Sequence, residues 1–477
     1  MTNEQLVSKV WNYAHVLRDQ GISYGDYIEQ ITYLLFLKMD QERVELLGAP
    51  SAIPPEWNWA QIAGKSGDEL ELQYRHTLEA LASADGLIGT IFRKSMNKLT
   101  DPAKLTRVVS LIDSEGPWIG IGVDVKGDIY EGLLERNASE VKSGAGQYFT
   151  PRPVIEAIIE CVDPQIGETV CDPACGTGGF LLSAYDHMKG QSQDRDALRK
   201  LREETFTGVD IVDEVVRLSA MNLYLHGVGN GAIPVRQGDA LSGDPGSRYQ
   251  VILTNPPFGK KSSFTVVGED GQVSTERENY EREDFKFTTS NKQVNFLQHI
   301  MTIMAVNGRA GVVLPDNVLF EAGRAGEGIR KRLLEGFNFH TLLRLPTGIW
   351  YSPGVKANVL FFDKKAAARE AQTRALWVYD YRTNVHKTLK TKKLDRADLD
   401  DFVSCFRERR ETERFRCFAY EDLVARDKLN LDIFWLKDDS LEDIDSLPAP
   451  DVIAGEIVEN LEAALEQFRS VANELQD

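Results

Sequence analysis

This chain of 477 residues has few cysteines and lacks clustered histidine, long apolar runs and an excess of basic charge. The five cysteines, Cys161, Cys171, Cys175, Cys405 and Cys417, are odd in number and lack metal-ligand spacing. They argue against a disulfide framework and point to free thiols in a reducing cytoplasm. The seven histidines form no His-Glu-x-x-His pair and no Cys/His cluster, so no metal site is expected. No apolar stretch approaches the roughly 20 residues that span a bilayer. The start, Met1-Thr2-Asn3-Glu4-Gln5, has neither the basic nor the apolar region of a secretory signal. Lysine and arginine (55) are outnumbered by aspartate and glutamate (73), for a net charge of −18. A chain that grips nucleic acid unaided is usually basic over one face. A role on nucleic acid would therefore require a local basic groove or a partner.

What is present divides into three textures. The length alone implies more than one domain. Over residues 1–135, Leu6, Val10, Tyr13 and Leu17 recur at helical spacing, as do Ile28, Ile31, Leu34 and Leu35. This region reads as a helical domain for docking rather than chemistry. Over 140–400, apolar strand runs alternate with helices. The strand candidates are 169–171, 205–209, 251–253, 310–314, 340–345, 358–362 and 375–379, with helices over 180–188, 213–226 and 295–304 among them. That alternation predicts an α/β fold, a Rossmann-like, doubly wound and mainly parallel sheet. Residues 260–292 interrupt it as a polar insertion without periodicity. A basic run, Arg382, His386, Lys387, Lys390, Lys392, Lys393 and Arg396, reads as a solvated loop or a phosphate contact. Residues 401–477 read as a helical C-terminal region for subunit contacts, in which Ile457, Leu461, Leu465, Phe468 and Val471 make an apolar stripe.

Four constellations carry chemistry. Asp172-Pro173-Ala174-Cys175-Gly176-Thr177-Gly178-Gly179 follows a strand and opens a helix. Its glycines allow a tight turn and close backbone approach to a ligand, or simply a ligand-free βα turn. The carboxylate ahead of the loop favours a cationic ligand over a phosphate. S-adenosylmethionine, with its ammonium and positive sulfur, has that sign. Asp210 ends the next strand, where a carboxylate can accept both hydroxyls of a ribose or cap a helix. Asp239, followed by Ala240 and Leu241, can accept from an adenine amine with the two apolar residues walling the ring, or make an ordinary Gly-Asp turn. The fourth is Asn255-Pro256-Pro257-Phe258, where a buried strand stops at two prolines that cannot extend sheet pairing. It delivers an amide, a rigid turn and an aromatic ring at the strand edge where open α/β sheets bind ligands. Read as a site, the Asn255 and Pro256 carbonyls accept the two hydrogens of a planar amine, and Phe258 stacks an extruded base. Read blandly, it is a proline-rich strand stop.

In this order, and with Gly146-Gln147-Tyr148-Phe149-Thr150-Pro151 ahead of them, these motifs resemble those of the amino-directed (N6-adenine) DNA methyltransferases. More narrowly, the chain looks like the modification subunit of Type I restriction–modification systems. The resemblance covers roughly 140–365 at motif level. It implies that Gln147, Tyr148, Phe149 and Thr150 line the methionine end of S-adenosylmethionine. Asp172 would hold the ammonium above Ala174, Gly176, Thr177, Gly178 and Gly179. Asp210 would take the ribose, and Asp239 and Ala240 the adenine. Asn255, Pro256, Pro257 and Phe258 would hold the target base, with Trp350 and Tyr351 either candidates for its other face or simply core or loop aromatics. The implied partners are duplex DNA, a DNA-specificity subunit, a restriction (translocase/nuclease) subunit and a second copy of the chain, with no membrane. Thr150 is also expected to cap a helix that starts at Pro151. Two other readings use the same motifs, an N-methyltransferase acting on RNA or protein glutamine and a catalytically silent scaffold.

Overall fold

The computed structural model describes residues 24–115, 117–118, 150–229, 232–258, 263–267, 273–277, 280–350, 354–389, 391–438, 452–455, 457–458 and 461. Its strands are β1 (Val170–Asp172), β2 (Phe206–Asp210), β3 (Val235–Gln237), β4 (Tyr249–Thr254), β5 (Ser263–Val267), β6 (Val273–Arg277), β7 (Met304–Pro315), β8 (Asn338–Arg344), β9 (Ala357–Asp363), β10 (Ala375–Asp380) and β11 (Phe415–Ala419). The chain divides into two compact units. One comprises Met1–Ala145, Cys175–Tyr185 and Ser192–Gly238, the other Gly146–Ala174, Asp186–Gln191 and Asp239–Asp477.

The described part of the first unit is mainly helical, as the spacing of Ile28, Ile31, Leu34 and Leu35 predicts, while Leu6, Val10, Tyr13 and Leu17 lie outside the described residues. Its described N-terminal helices are Tyr24–Leu47, Trp59–Ala63, Gly67–Ala82, Gly86–Phe92 and Pro102–Ser114. The last starts cleanly because Asp101 accepts from the Ala103 and Lys104 amides and Pro102 has no amide to orphan. Tyr24–Leu47 and Gly86–Phe92 pack on Asp213–Leu225, every residue of which is buried from Val215 onward. Phe36 and Tyr224 meet at 5.5 Å between ring centres. The Tyr224 hydroxyl accepts from the Ala52 amide at 2.8 Å and donates to Asp40 at 3.1 Å. Arg217 pairs with Glu29 at 2.7 Å. The parallel pair β2–β3 completes this unit. The helix fixed by these contacts begins three residues after Asp210, so the packing of the N-terminal helices supports a candidate site residue.

Among the described residues the second unit carries seven strands of the main sheet, in the order β11-β10-β8-β9-β7-β4-β1, besides the separate pair β5–β6. β4 lies between β1 and β7 and is parallel to both. Val251, Ile252 and Leu253 are wholly buried there, which is why the run reads as continuously apolar. Helices cover both faces. Val294, Leu297 and Met301 of the helix Lys292–Ile303, and Ile329 and Leu333 of Gly323–Gly336, share one core with Ile252, Val312, Leu342, Leu360 and Phe362. On the other face the helix Arg152–Val162 comes so close to β7 that a Cβ on Gly311 would lie 2.6 Å from Ile158 Cγ2. A side chain at Gly311 would therefore push that helix off the sheet.

The α/β expectation holds, with corrections in detail. β9 runs antiparallel to both β7 and β8, so the sheet is mixed. An all-apolar run fits a central strand in either direction, and burial does not reveal polarity. β11 pairs antiparallel with β10 where the sequence suggests helix. The polar insertion contains the antiparallel hairpin β5–β6. The helix after Thr150 starts at Arg152 with Pro151 as its cap residue, one position later than expected, and Thr150 does not cap it. In the C-terminal tail Ile457 and Leu461 are exposed, while Leu465, Phe468 and Val471 lie outside the described residues.

Candidate active site

The end of β4 gives the site its frame. Pairing with β7 runs out at Thr254 opposite Val312, because the two prolines that follow offer no amide hydrogen to a neighbour. The chain then presents Asn255 half-buried, Pro256 buried, Pro257 exposed and Phe258 half-buried. The Asn255 Nδ2 donates to Thr150 Oγ1 at 2.9 Å. That bond engages the amide nitrogen and fixes the rotation of the group, so the carbonyl oxygen is the end presented as an acceptor. Phe258 meets Trp350 at 5.8 Å between centres and 69° between planes. Trp350, a candidate for the far face of the base or simply a core aromatic, is only 2% exposed and packs edge-on against Phe258. Tyr351, the other candidate, lies outside the described residues, as do Gln147, Tyr148 and Phe149.

β1 ends beside β4, with Cys171 in register with Ile252. Asp172 therefore sits at the same carboxyl edge as Asn255. It is 1% exposed, and its Oδ1 accepts from the Ala174 amide at 3.0 Å, which turns the chain into the glycine loop. Asp239, at the start of the segment leading to β4, is half-buried, as is Ala240. Asp239 Oδ1 accepts from the Leu241 amide at 2.8 Å and Oδ2 from the Tyr280 hydroxyl at 3.1 Å. The Tyr280 contact is not legible in the sequence, since Tyr280 follows a polar stretch with no pattern that points back to Asp239.

The remaining predicted residues belong to the first unit. Gly176 and Gly178 have φ of +53° and +88°, which a side chain would strain. A Cβ on Gly178 would also lie 2.8 Å from Ser219 Oγ, whereas one on Gly176 would meet nothing within 4 Å. The loop therefore packs at Gly178 and is open at Gly176. Thr177 is buried, and Gly179 begins the helix Gly179–Lys189. Asp210 Oδ2 accepts from the Gly176 amide at 3.1 Å and Oδ1 from the Val212 amide at 2.9 Å. Burial raises the pKa of Asp210 above the ordinary carboxylate value, and the Val212, Gly176 and Ile211 amides offset that only in part.

Three cations of the basic run after β10 are engaged within the protein. Arg382 holds Asp316 at 2.6 Å and the carbonyls of Leu345 and Ala357 at 2.8 and 2.9 Å. Lys387 bonds Asp398, and Arg396 pairs with Glu160 and Asp400. These three cations tie the loop to its neighbours, while His386, Lys392 and Lys393 are exposed and Lys390 lies outside the described residues.

A mixed sheet covered on both faces, with the Asp172 carboxylate and the amide–proline–aromatic strand end at one edge, has the form of an α/β methyltransferase. The comparisons with known proteins go further. The N-6 DNA Methylase family matches residues 122–439, and the HsdM N-terminal domain matches residues 6–112. The chain belongs to the N-6 DNA methylase family. It is 37% identical to the StySPI Type I restriction enzyme methylase subunit of Salmonella potsdam, over 100% of this chain and 96% of that protein. The EcoKI Type I methylase subunit of Escherichia coli K12 is likewise 37% identical over the same shares. In fold it is similar to the type I restriction-modification system methyltransferase subunit from Streptococcus thermophilus, with a TM-score of 0.69 over 90% of this chain and 99% of that one, at 21% identity. Among the described residues no helix is long and apolar enough to cross a membrane.

Proposed function

We propose that this methylase subunit transfers a methyl group from S-adenosylmethionine to the exocyclic N6 amine of an adenine turned out of duplex DNA. It does so in a complex with a DNA-specificity subunit, joined by a restriction subunit and a second copy of the chain. One observation carries the reading, namely the Asn255 amide locked by Thr150 at the end of β4, with Pro256 buried and Phe258 beside it.

The described residues fit the cofactor. Gly176 leaves open space for a ligand against the backbone. Asp210 is a buried carboxylate suited to two ribose hydroxyls, and Asp172 and Asp239 offer negative charge to an ammonium and an adenine amine. Bound S-adenosylmethionine would supply an electrophilic methyl group on a positive sulfur. The chain's residues act on the amine. Its lone pair is delocalised into the ring and is a poor nucleophile. When the Asn255 Oδ1 and the Pro256 carbonyl each accept one N–H, the nitrogen is drawn toward tetrahedral geometry and its lone pair localises. Those bonds strengthen as positive charge grows on nitrogen, so they favour the transition state over the ground state. Asn255 is neutral and holds an N–H without removing it. Phe258 returns by stacking about 1–3 kcal/mol of the energy lost on extruding the base. The net charge of −18 is met by a partner that supplies the grip on DNA.

The test mixes the full chain, methyl-labelled S-adenosylmethionine and duplex DNA, with and without a cognate specificity subunit. Label is expected in DNA only with the partner. If none reaches adenine even then, the reading fails.

A further inference from the structure

Asp239 does not stand alone. One lone pair on each of its oxygens is used, by the Leu241 amide at 2.8 Å and the Tyr280 hydroxyl at 3.1 Å. Two residues on, Arg282 is 5% exposed and binds the same loop from beneath. Its Nη1 donates to the carbonyls of Ala240 and Leu241 at 3.3 and 3.2 Å. Its Nε and Nη2 hold both oxygens of Asp284 at 2.9 and 2.7 Å, and Asp284 also accepts from Thr302 at 2.6 Å. The guanidinium lies over Phe285 at 4.1 Å, and Nη1 is 3.2 Å from His299 Nδ1 on the helix Lys292–Ile303. A core helix thus anchors Arg282, Arg282 anchors the 239–241 loop, and Tyr280 sets the plane of the Asp239 carboxylate.

We propose that Tyr280 is a positioning residue for the adenine of the cofactor, acting through Asp239. With one lone pair taken on each oxygen, the carboxylate cannot spin, and the lone pairs that remain point in a fixed direction at an incoming amine. Tyr280 also lies within the polar insertion, residues 260–292, that follows the Asn255–Phe258 motif. The segment leaving the target-base motif is therefore fastened to the cofactor carboxylate. The inference rests on the reading of Asp239 as the adenine acceptor.

The experiment separates the two. The full chain with its specificity subunit is titrated calorimetrically with S-adenosylmethionine and with an analogue whose purine lacks the 6-amino group. Tyr280→Phe keeps the ring and removes the hydroxyl. It is expected to weaken S-adenosylmethionine binding about tenfold, equal to about 1.4 kcal/mol, and to leave the analogue unaffected. In turnover the loss is expected in KM for the cofactor rather than in kcat. Asp239→Asn should show the same selectivity against the natural cofactor, and more strongly. Equal weakening of both ligands by Tyr280→Phe would assign it a structural role, and unchanged or tighter binding would show no role or a competing one; either overturns the inference. If Asp239→Asn discriminates and Tyr280→Phe does not, only the Tyr280 proposal falls. If Asp239→Asn itself fails to discriminate, the adenine reading of Asp239 falls.

Discussion

Thr150→Val isolates the element on which the chemistry depends. The change is nearly isosteric and removes the oxygen that accepts from Asn255 Nδ2 at 2.9 Å. A neutral hydrogen bond of this kind contributes about 1 kcal/mol net. Without it the amide can turn over, and the flipped form would offer an N–H to a target amine that also donates. The orientation penalty should match the lost bond, giving about a fivefold drop in the methyl-transfer step. Asn255→Ala removes the acceptor itself and should cost far more, on the order of 10²–10³, as when a pre-organised transition-state partner is deleted. Thr150→Ser keeps the oxygen and should stay near wild type. The assay is single-turnover transfer of labelled methyl at saturating S-adenosylmethionine with the specificity subunit present. The predicted order is wild type, Thr150→Ser, Thr150→Val, then Asn255→Ala. A Thr150→Val protein as inert as Asn255→Ala would make Thr150 a folding residue. A loss that disappears at saturating cofactor would return Thr150 to cofactor binding, and either result refutes the reasoning.

Asp210 titrates above its ordinary value of 3.8 because it is buried. As its folded pKa is raised, the ionised form costs stability, so its contribution to stability is greatest at low pH and is lost as pH rises through the folded pKa. Cofactor binding runs the other way. The carboxylate that accepts hydroxyl hydrogens is lost as pH falls through that raised value, so affinity should drop at a pH above 3.8, and Asp210→Asn should flatten this limb. Equilibrium binding across mildly acidic pH checks both signs. Gly311→Ala would put a methyl group 2.6 Å from Ile158 Cγ2 and 3.0 Å from Val162 Cγ2. Overpacking of that kind costs about 1–3 kcal/mol. Calorimetry should show a lower Tm, with cofactor affinity preserved at temperatures where the protein is folded.

The parts of the molecule legible in the sequence are those where chemistry and backbone constraint coincide. Asp172, Asp210 and Asn255 each end a strand, and a strand that stops at glycine, a carboxylate or proline announces itself in one dimension. The central strands were legible because burial on both faces leaves an unbroken apolar run, as in β4. The reversed direction of β9 was not, because that run reads the same either way. β11 escaped because Arg416 and Cys417 break the pattern at a sheet edge. Thr150 precedes a helix and resembles a cap, but in three dimensions its hydroxyl serves Asn255, 105 residues away. Trp350 reads equally as a stacking wall or a core aromatic, and its burial and its edge contact with Phe258 are visible only in three dimensions. The tethering of Asp239 by Tyr280 and Arg282 spans about forty residues and leaves no periodic trace.

The central claim is that Asn255 and its neighbours present an adenine amine for methylation. Its most direct test is the product. Duplex DNA treated with the full chain, its specificity subunit and S-adenosylmethionine is digested to nucleosides and analysed by mass spectrometry. The account predicts N6-methyldeoxyadenosine from the wild type. From Asn255→Ala it predicts none, with S-adenosylmethionine binding retained. A methyl group on another base, or N6-methyldeoxyadenosine formed equally well by Asn255→Ala, would contradict it.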